Sequence, residues 1–161
     1  MNTGSATIGA IITIICVLPF LFMYMSKTKK KKTALQTLQQ LASKHDCKIS
    51  QYDFLDHMVI GIDTDKKCLF FTKKENNENT NQFIDLQTVS MCYPNKALRT
   101  IIVSDKKKNS VIERVELCFE SKTNSVLPTT FELYNEKDDV QLRTEILLSD
   151  KWANLINAQL A

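Results

Sequence analysis

Cysteine and histidine are the residue types in this sequence whose chemistry would be most distinctive. The five cysteines are Cys16, Cys47, Cys68, Cys92 and Cys118, and the two histidines are His45 and His57. They form no Cys-x-x-Cys pair and complete no zinc-ligand spacing. A thiol nucleophile needs a histidine within hydrogen-bond reach and a third group that orients it. His57 and Cys68 could face each other across a predicted hairpin, but no glycine-rich oxyanion loop accompanies them, so chance placement is the better interpretation.

Four aspartates are close together in the sequence, at Asp53, Asp56, Asp63 and Asp65. Their spacing lacks the twelve-residue calcium-loop pattern, with its central glycine and terminal glutamate. Aspartates are also common in turns, where the side chain bonds the neighbouring main chain. The chain contains no P-loop, no dinucleotide fingerprint and no Gly-x-Ser-x-Gly motif. The sequence therefore predicts a protein that is not an enzyme, with no catalytic residue, no cofactor and no metal site.

Lysine is concentrated in one short segment, residues 26–32, which we term the basic collar. Its lysines are Lys27, Lys29, Lys30, Lys31 and Lys32. The formal net charge of the whole chain is +3, so the rest of the chain is mildly acidic. A domain of that charge lacks the broad positive surface expected of a nucleic-acid binder. We interpret the collar as a membrane-surface contact and a topology signal.

The stretch before the collar, residues 6–25, has no charged side chain. In a helix, about twenty apolar residues cross a hydrocarbon core of roughly 30 Å. No basic residue precedes the stretch and no small-residue cleavage site follows it, which argues against a cleaved signal peptide. The positive-inside rule places the collar side in the cytoplasm. The sequence thus predicts a single-pass protein of the plasma or inner membrane, with the N-terminus outside and a cytoplasmic domain whose cysteines are reduced.

The predicted organisation has five parts. A short tail (1–5) precedes the transmembrane helix (6–25) and the collar (26–32), and an amphipathic helix (33–45) leads into a β-rich domain (46–161). In the amphipathic helix, Leu35, Leu38 and Leu41 recur at helical spacing. This stripe either packs on the domain or lies on the membrane. Its glutamines favour packing, since an interfacial helix normally has a basic polar face.

The β-rich domain shows seven segments with the alternation or composition of strands. They are residues 48–54, 57–63, 68–73, 82–93, 98–104, 111–120 and 126–134. Residues 74–81 read as a polar loop, and Pro94 as the end of a strand. At the C-terminus, Ser149 is a plausible N-cap of a helix whose apolar stripe includes Trp152 and Ile156. The fold class is therefore α+β, with a seven-stranded antiparallel meander and a C-terminal amphipathic helix.

The tryptophan-bearing terminal helix, with Trp152 followed by Leu155 and Ile156, resembles that of pleckstrin-homology domains. Residues 61–71 and 84–89 are similar to strands of bacterial members of that superfamily. The resemblance covers roughly residues 48–160 and implies a pleckstrin-homology-like barrel of two near-orthogonal sheets, with the helix closing one corner. Family members that bind phosphoinositides use basic residues between the first two strands. Here that loop, residues 54–56, is apolar and acidic, so a headgroup site is not carried over.

Three functions are weighed on these observations. The preferred hypothesis is a membrane-anchored protein that presents a cytoplasmic, non-enzymatic interaction domain (a scaffold or adaptor) to a protein partner, for example a peptide added to a sheet edge. The alternative is a peripheral module that binds anionic lipid. A membrane-tethered enzyme using Cys68 and His57 is less favoured. The lysines at 66–67, 73–74 and 106–108 read as solubilising charges of turns and hairpin ends.

Overall fold

The fold is an α+β arrangement of two antiparallel sheets and two helices. The computed structural model describes the backbone of residues 3–55, 57–75, 78–104, 107–123, 129–137, 142 and 144–160. Side chains are described for these residues except 3–14, 20–25, 27, 75, 101–104 and 107–109. Seven antiparallel strands divide into a four-stranded and a three-stranded sheet. The α+β class and the seven antiparallel strands expected from the sequence are confirmed.

The N-terminal helix, α1, spans Thr3–Ser43 and has 41 residues, so the predicted span, collar and amphipathic helix are one continuous element. Near its end, Leu38 and Ala42 are buried. The helix stops where Asp46 adopts a φ of 55° and the Cys47 N–H donates to the Ala42 carbonyl at 3.0 Å. Of the two alternatives for the leucine stripe, the structure shows packing against the domain.

The prediction of a membrane-spanning helix at residues 6–25 is wrong. Among the residues that the structure describes, no helix is long and apolar enough to cross a membrane. Where side chains of this stretch are described, the apolar run of residues 15–19 is followed within the same helix by exposed Lys29, Lys30, Lys31 and Lys32. The remaining side chains of residues 6–25 lie outside the described set. Three further predictions depended on that helix, and they are corrected with it. They are the integral-membrane partner, the single-pass localisation and the orientation in the membrane.

The first sheet is a meander in the order β1-β2-β3-β4. Its strands are β1 (Gln51–Leu55), β2 (Met58–Asp63), β3 (Cys68–Glu75) and β4 (Glu78–Asp85). The central strand β2 is buried at every position, because one face lies on the core and the other lies under α1. A central strand covered on both faces reads as a continuous apolar run, as MVIGI does here.

The second sheet has the order β5-β6-β7. Its strands are β5 (Val89–Ser104), β6 (Lys107–Ser121) and β7 (Thr129–Asn135). Between the sheets lies a 3-10 turn at Leu86–Thr88, which begins where the Asp85 carboxylate accepts the Gln87 N–H at 2.9 Å. The pairing of β6 with β7 covers only the second half of β6, from Arg114 to Phe119. The first half of β6 therefore pairs with β5 alone, and this part of the hairpin extends beyond the three-stranded part of the sheet.

Strand partition differs from the prediction at two places. Of the polar residues 74–81, which were read as a loop, 74–75 continue β3 and 78–81 belong to β4, in a ribbon where Lys74 pairs with Asn79. The predicted strand 82–93 is divided by the 3-10 turn, and β5 runs through Pro94 to Ser104 without a break. Proline is tolerated because β5 is an edge strand, where a missing N–H removes no ladder hydrogen bond.

The C-terminal helix, α2, spans Glu145–Leu160 and packs on the core between the sheets. It begins four residues before the predicted N-cap, so Ser149 is not a cap: its buried hydroxyl donates to the Ile146 carbonyl at 2.7 Å. Trp152, Ala153 and Ile156 form the buried stripe. They meet side chains of both sheets in the main core, including Phe71 and Phe131, which stack with ring centroids 4.8 Å apart.

A second, smaller core lies under α1 on the outer face of the first sheet. It contains Leu38, Ala42, Cys47, Val59, Cys68 and Phe70. The helix approaches closely at Gly61, where an added Cβ would lie 2.7 Å from Leu38 Cδ2 and 3.0 Å from Ile49 Cγ2. A glycine at this point of β2 is therefore what lets α1 pack against the strand.

The buried carboxylate of Asp63 joins the two segments that flank this small core. Its Oδ2 accepts the Lys48 N–H at 2.7 Å, and its Oδ1 accepts the N–H groups of Asp65 and Lys66, both at 3.0 Å. Burial by itself raises the pKa of a carboxyl group. Here the three main-chain donors and the Lys66 charge outweigh burial and lower the pKa of Asp63.

We expect Asp63 to make folding stability depend on pH. Because its pKa is lower folded than unfolded, its contribution is complete above the unfolded value of about 3.9 and is lost as the pH falls through the folded pKa. Urea midpoints of the full chain between pH 7 and pH 3 measure this loss. Asp63→Asn should reduce the decrease in urea midpoint at acid pH, whereas Asp65→Asn, at an exposed neighbour, should leave that decrease unchanged. If the urea midpoint decreases equally at acid pH in the wild type and both variants, Asp63 is not the group responsible.

Candidate interaction surface

The collar lysines lie on α1 just before its contact with the domain. Lys29, Lys30, Lys31 and Lys32 are exposed, whereas the side chain of Lys27 lies outside the described residues. The Lys31 ammonium lies 5.8 Å from the centroid of the Tyr52 ring on β1, within reach of a cation–π contact. The structure shows these lysines as a solvent-exposed segment of helix, and their contact with a membrane surface stays a prediction.

The structure separates the two residues of the hypothetical thiol site. Cys68 pairs with Asp63 at one end of the β2–β3 hairpin, whereas His57 precedes Met58 at the other end, where Met58 pairs with Lys73. At about 3.3 Å per residue the two lie well over 10 Å apart along the strands. All five cysteines are free thiols, and Cys47, Cys68, Cys92 and Cys118 are buried. The geometry brings no histidine to Cys68 along this hairpin.

The clustered aspartates are likewise separated by the fold. Asp53 on β1 binds α2, Asp63 caps the β2–β3 turn, and Asp65 is exposed in that turn, while Asp56 lies outside the described residues. In the described part of the chain, no group of three or more His, Cys, Asp or Glu side chains is placed to hold a metal ion. The aspartates act on turns and helix packing instead.

Two of the lysines read as solubilising charges bond to distant segments of the chain, one at the surface and one in the interior. Lys66 Nζ donates to the Asp46 carbonyl. Lys73 is almost fully buried, with its side chain 3% exposed, and its Nζ lies 3.0 Å from Glu132 Oε1 on β7. The side chains of Lys106–108 lie outside the described residues. Lys73 is the polar core residue that sequence reasoning missed, because lysine in an exposed-looking hairpin end gives no signal of burial.

The Lys73–Glu132 pair belongs to a polar corner where the two sheets meet. Glu132 also accepts from Asn135 Nδ2 at 3.1 Å and lies 3.6 Å from Arg114 Nε. Beside it, Gln82 of β4 donates to the Thr130 carbonyl of β7 at 3.3 Å. Strand β4 of the first sheet is thereby joined to β7 of the second, and this corner is closed.

At the opposite corner, α2 lies between β1 and β5 and bonds both. Asp53 Oδ2 accepts from Trp152 Nε1 at 2.9 Å and from Lys151 Nζ at 2.6 Å. On the β5 side, Asn157 Oδ1 accepts the Cys92 N–H at 2.9 Å, and Asn157 Nδ2 donates to the Cys92 carbonyl at 2.7 Å. The Asn157 amide thus pairs with the main chain of β5 as a neighbouring strand would.

The bonds to Asn157 show which way the main chain of β5 faces. The N–H and C=O groups of Cys92 point away from β6, and in a strand this direction repeats at every second residue. Lys96, Leu98 and Thr100 therefore face the same open side. The bulge beside Leu98 places its extra residue on β6, because Ala97 pairs with Arg114 and Leu98 with Ile112, so the alternation of β5 continues.

We define the β5 edge as the outward main chain of Lys96, Leu98 and Thr100 with the side chains of Leu98 and Leu147. Among the described residues, no hydrogen bond reaches that outward main chain. Lys96 Nζ lies 3.3 Å from Asp150 Oδ1, so α2 runs antiparallel to β5 and its first turn lies toward Leu98. Leu98 is 63% exposed and Leu147 is 70% exposed. The edge combines unpaired strand groups with exposed apolar side chains.

No single sequence signal could have identified this edge in advance. Pro94 was interpreted as the end of a strand. The role of Asn157 has no local signature, because an asparagine on an amphipathic helix normally faces solvent. Only the packing of α2 against β5 brings its amide to Cys92.

Comparison with known proteins adds no family. No protein-family model matches the chain, and neither a curated protein nor a solved structure matches it significantly.

Proposed function

We propose that this chain is a non-enzymatic interaction module whose β5 edge binds an extended peptide segment of a protein partner. The observation that carries the proposal is the row of outward N–H and C=O groups at Lys96, Leu98 and Thr100. Edge strands with unpaired main-chain groups accept an added strand, and natural domains use this in peptide recognition. Asn157 already shows that the β5 main chain takes a planar amide partner at Cys92.

The flanking side chains favour a partner with apolar residues. Among the side chains that the structure describes beyond α1, Leu98 and Leu147 are the most exposed large hydrophobic ones. Side chains of an added strand alternate between faces, so every second residue of the peptide would lie on the side of these leucines. The proposal therefore predicts an extended ligand with an apolar residue at alternate positions.

We further propose that the domain is a pleckstrin-homology-like barrel. Support comes from the four-plus-three strand order, the corner closed between β4 and β7, and the terminal helix that lies between β1 and β5 with its tryptophan inward. In this arrangement the β5 edge lies beside the terminal helix, which gives the bound segment a second wall.

The experiment uses a phage-displayed library of eight-residue peptides, selected against the full chain, with affinities measured by fluorescence anisotropy. Thr100→Pro removes one outward N–H without touching the β5–β6 ladder, and Pro94 shows that β5 accepts a proline at an outward-facing position. Losing one such hydrogen bond should lower the affinity for the selected peptides by about tenfold.

Thr100→Val is the matched control, because it keeps the N–H and changes only the side chain. We expect it to bind within about threefold of wild type. Leu147→Ala should weaken binding while leaving the melting temperature unchanged, since Leu147 is exposed. A library that yields no binder, or binders that tolerate Thr100→Pro, would overturn the proposal.

The lipid-binding alternative predicts a different result in the same preparation. Lys73, one of the hairpin lysines that would face the headgroups, is buried against Glu132 and contributes little charge to a surface. Lys66 is exposed and donates only to the uncharged Asp46 carbonyl, so its charge is available there. Vesicles of phosphatidylcholine with one-third phosphatidylserine, at low salt, test it directly. Binding that disappears with a Lys66→Gln/Lys67→Gln variant, and persists in Thr100→Pro, would favour lipid over peptide.

A further inference from the structure

Cys47 and Cys68 lie in the same buried cluster under α1, although they are distant in sequence. Cys47 is 6% exposed and Cys68 is 9% exposed, and both belong to the small core beneath the helix. Both side chains pack in this one cluster, where burial and then the neighbouring Cys47 thiol raise the pKa of Cys68. Each thiol also donates to a nearby main-chain carbonyl, Cys47 to His45 at 3.3 Å and Cys68 to Lys66 at 3.4 Å.

Two further contacts hold the two cysteine-bearing segments side by side. Lys66 Nζ donates to the Asp46 carbonyl, and the Lys48 N–H donates to Asp63 Oδ2 at 2.7 Å. The residue before each cysteine has a left-handed backbone, with φ of 55° at Asp46 and 53° at Lys67. Each turn is thus fixed by its left-handed residue, and the two hydrogen bonds hold the segments next to each other.

We propose that Cys47 and Cys68 are a disulfide-forming pair, which under oxidising conditions links the segment after α1 covalently to β3. The pair lies on the outer face of the first sheet, away from the β5 edge, so the inference does not depend on peptide binding. Its effect would be to hold the end of α1 on the sheet by a covalent bond as well as by packing.

The chemistry is thiol–disulfide exchange with a small-molecule disulfide such as oxidised glutathione. One cysteine attacks glutathione disulfide and expels one glutathione, and the other cysteine attacks the mixed disulfide and expels the second. The two thiols lose two protons and two electrons, and one glutathione disulfide becomes two glutathione thiols. The balance needs no other reactant.

The surroundings of Cys68 indicate a structural rather than a catalytic disulfide. Burial, and then the contact with Cys47, raises the pKa of Cys68 to about 12. Its thiolate is therefore scarce at neutral pH, and oxidation should take hours rather than seconds. A thiol of high pKa is also a poor leaving group, so the disulfide, once formed, should resist reduction.

The fold supplies an internal control in a second pair of buried cysteines. Cys92 pairs with Phe119, and Cys118 pairs with Tyr93, on adjacent strands. Cys92 belongs to the main core together with Phe119, whereas Cys118 follows the alternation to the opposite face. Two cysteines whose side chains point to opposite faces of a sheet cannot be bridged without moving the backbone.

The test equilibrates the reduced full chain with oxidised and reduced glutathione, quenches with acid, alkylates after denaturation and digests with trypsin. Cys47 and Cys68 lie in the short tryptic peptides 45–48 and 68–73, because lysine precedes and ends both. We expect these two peptides to appear joined by a disulfide, with Cys92 and Cys118 alkylated. Two alkylated peptides, or linkage of either cysteine mainly to Cys16, Cys92 or Cys118, would overturn the proposal.

A second readout does not depend on the digest. The oxidised full chain should melt about 5–15 °C above the reduced chain, since a single disulfide removes freedom from the unfolded state. Cys47→Ala and Cys68→Ala should each abolish that shift, whereas Cys16→Ser, at an exposed cysteine of α1, should keep it. A shift that survives in both alanine variants would assign the effect to other cysteines.

Discussion

Replacement of Trp152 by alanine is expected to cost about 3–5 kcal/mol of folding free energy, a large part of the stability of a single domain. Trp152 is completely buried on α2. It contacts the core shared by the two sheets, and its Nε1 donates to Asp53 Oδ2 at 2.9 Å. The change therefore leaves a cavity at the corner between β1 and β5 and removes one bond that holds α2 there.

Urea unfolding of Trp152→Ala should be followed by far-UV circular dichroism, because the chain has one tryptophan and its fluorescence is lost with it. Trp152→Phe keeps a ring in the core but loses the indole donor, and should cost about 1–2 kcal/mol. Leu147→Ala is the matched control on the same helix, exposed and expected within about 0.5 kcal/mol of wild type. A cost below about 1 kcal/mol for Trp152→Ala would show that α2 does not close this corner.

Glu132→Gln is expected to destabilise the protein by about 3 kcal/mol, because it leaves the ammonium of Lys73 buried without this counter-ion. The Lys73 side chain is 3% exposed and that of Glu132 is 29% exposed, so the two charges are not equivalent. Water can solvate Glu132 when Lys73 is removed, but it cannot easily reach Lys73 when the glutamate charge is removed. Lys73→Met should therefore cost less than Glu132→Gln.

The sharpest measurement is the double variant Lys73→Met/Glu132→Gln, compared by urea unfolding with each single variant. Once the buried cation has become an apolar side chain, the loss of the carboxylate charge should matter little. The double variant should thus be more stable than Glu132→Gln alone. Lys74→Met, at an exposed lysine of the same strand, controls for the change of residue type. Strictly additive effects would mean that the pair contributes nothing to closing the corner between β3 and β7.

Much of the fold could be predicted because the apolar patterns are local. The alternation of Val115, Leu117 and Phe119 predicted β6, and all three are buried in the main core. The stripe that contains Trp152 and Ile156 predicted α2 and its buried face. In each case one face of the element is apolar and must be covered, so sequence spacing alone determines which residues point inward.

Element boundaries were predicted less well, because they depend on contacts with distant residues. Residues 74–75 and 78–81 are polar and still form strands, since their main chains pair in a ribbon that buries few side chains. Ser149 has the residue type of a cap, but it lies inside α2 with its hydroxyl on the Ile146 carbonyl. The predicted span at residues 6–25 was an inference from composition, and no helix of the described residues supports it.

The candidate surface was beyond the reach of sequence for a related reason. An edge strand has a neighbouring strand on one side only, and the sequence of β5 does not indicate that it pairs with β6 alone. Likewise the placement of Cys47 and Cys68 in one buried cluster depends on two turns, each with one left-handed residue, which bring the segments together. Asp46 and Lys67 are not glycines, so neither turn has the usual sequence signature.

By itself, the sequence determined the α+β class, the seven strands and the identity of the inward-facing residues, because these follow from hydrophobic periodicity within short segments. The tertiary structure decided which strand edges are closed, which lysine is buried and which cysteines meet. Those features arise where two segments distant in sequence pack against each other. Lys73 with Glu132, Asn157 with Cys92 and Cys47 with Cys68 are such pairs. The sequence around either partner carries no information about how close the two residues lie in the fold.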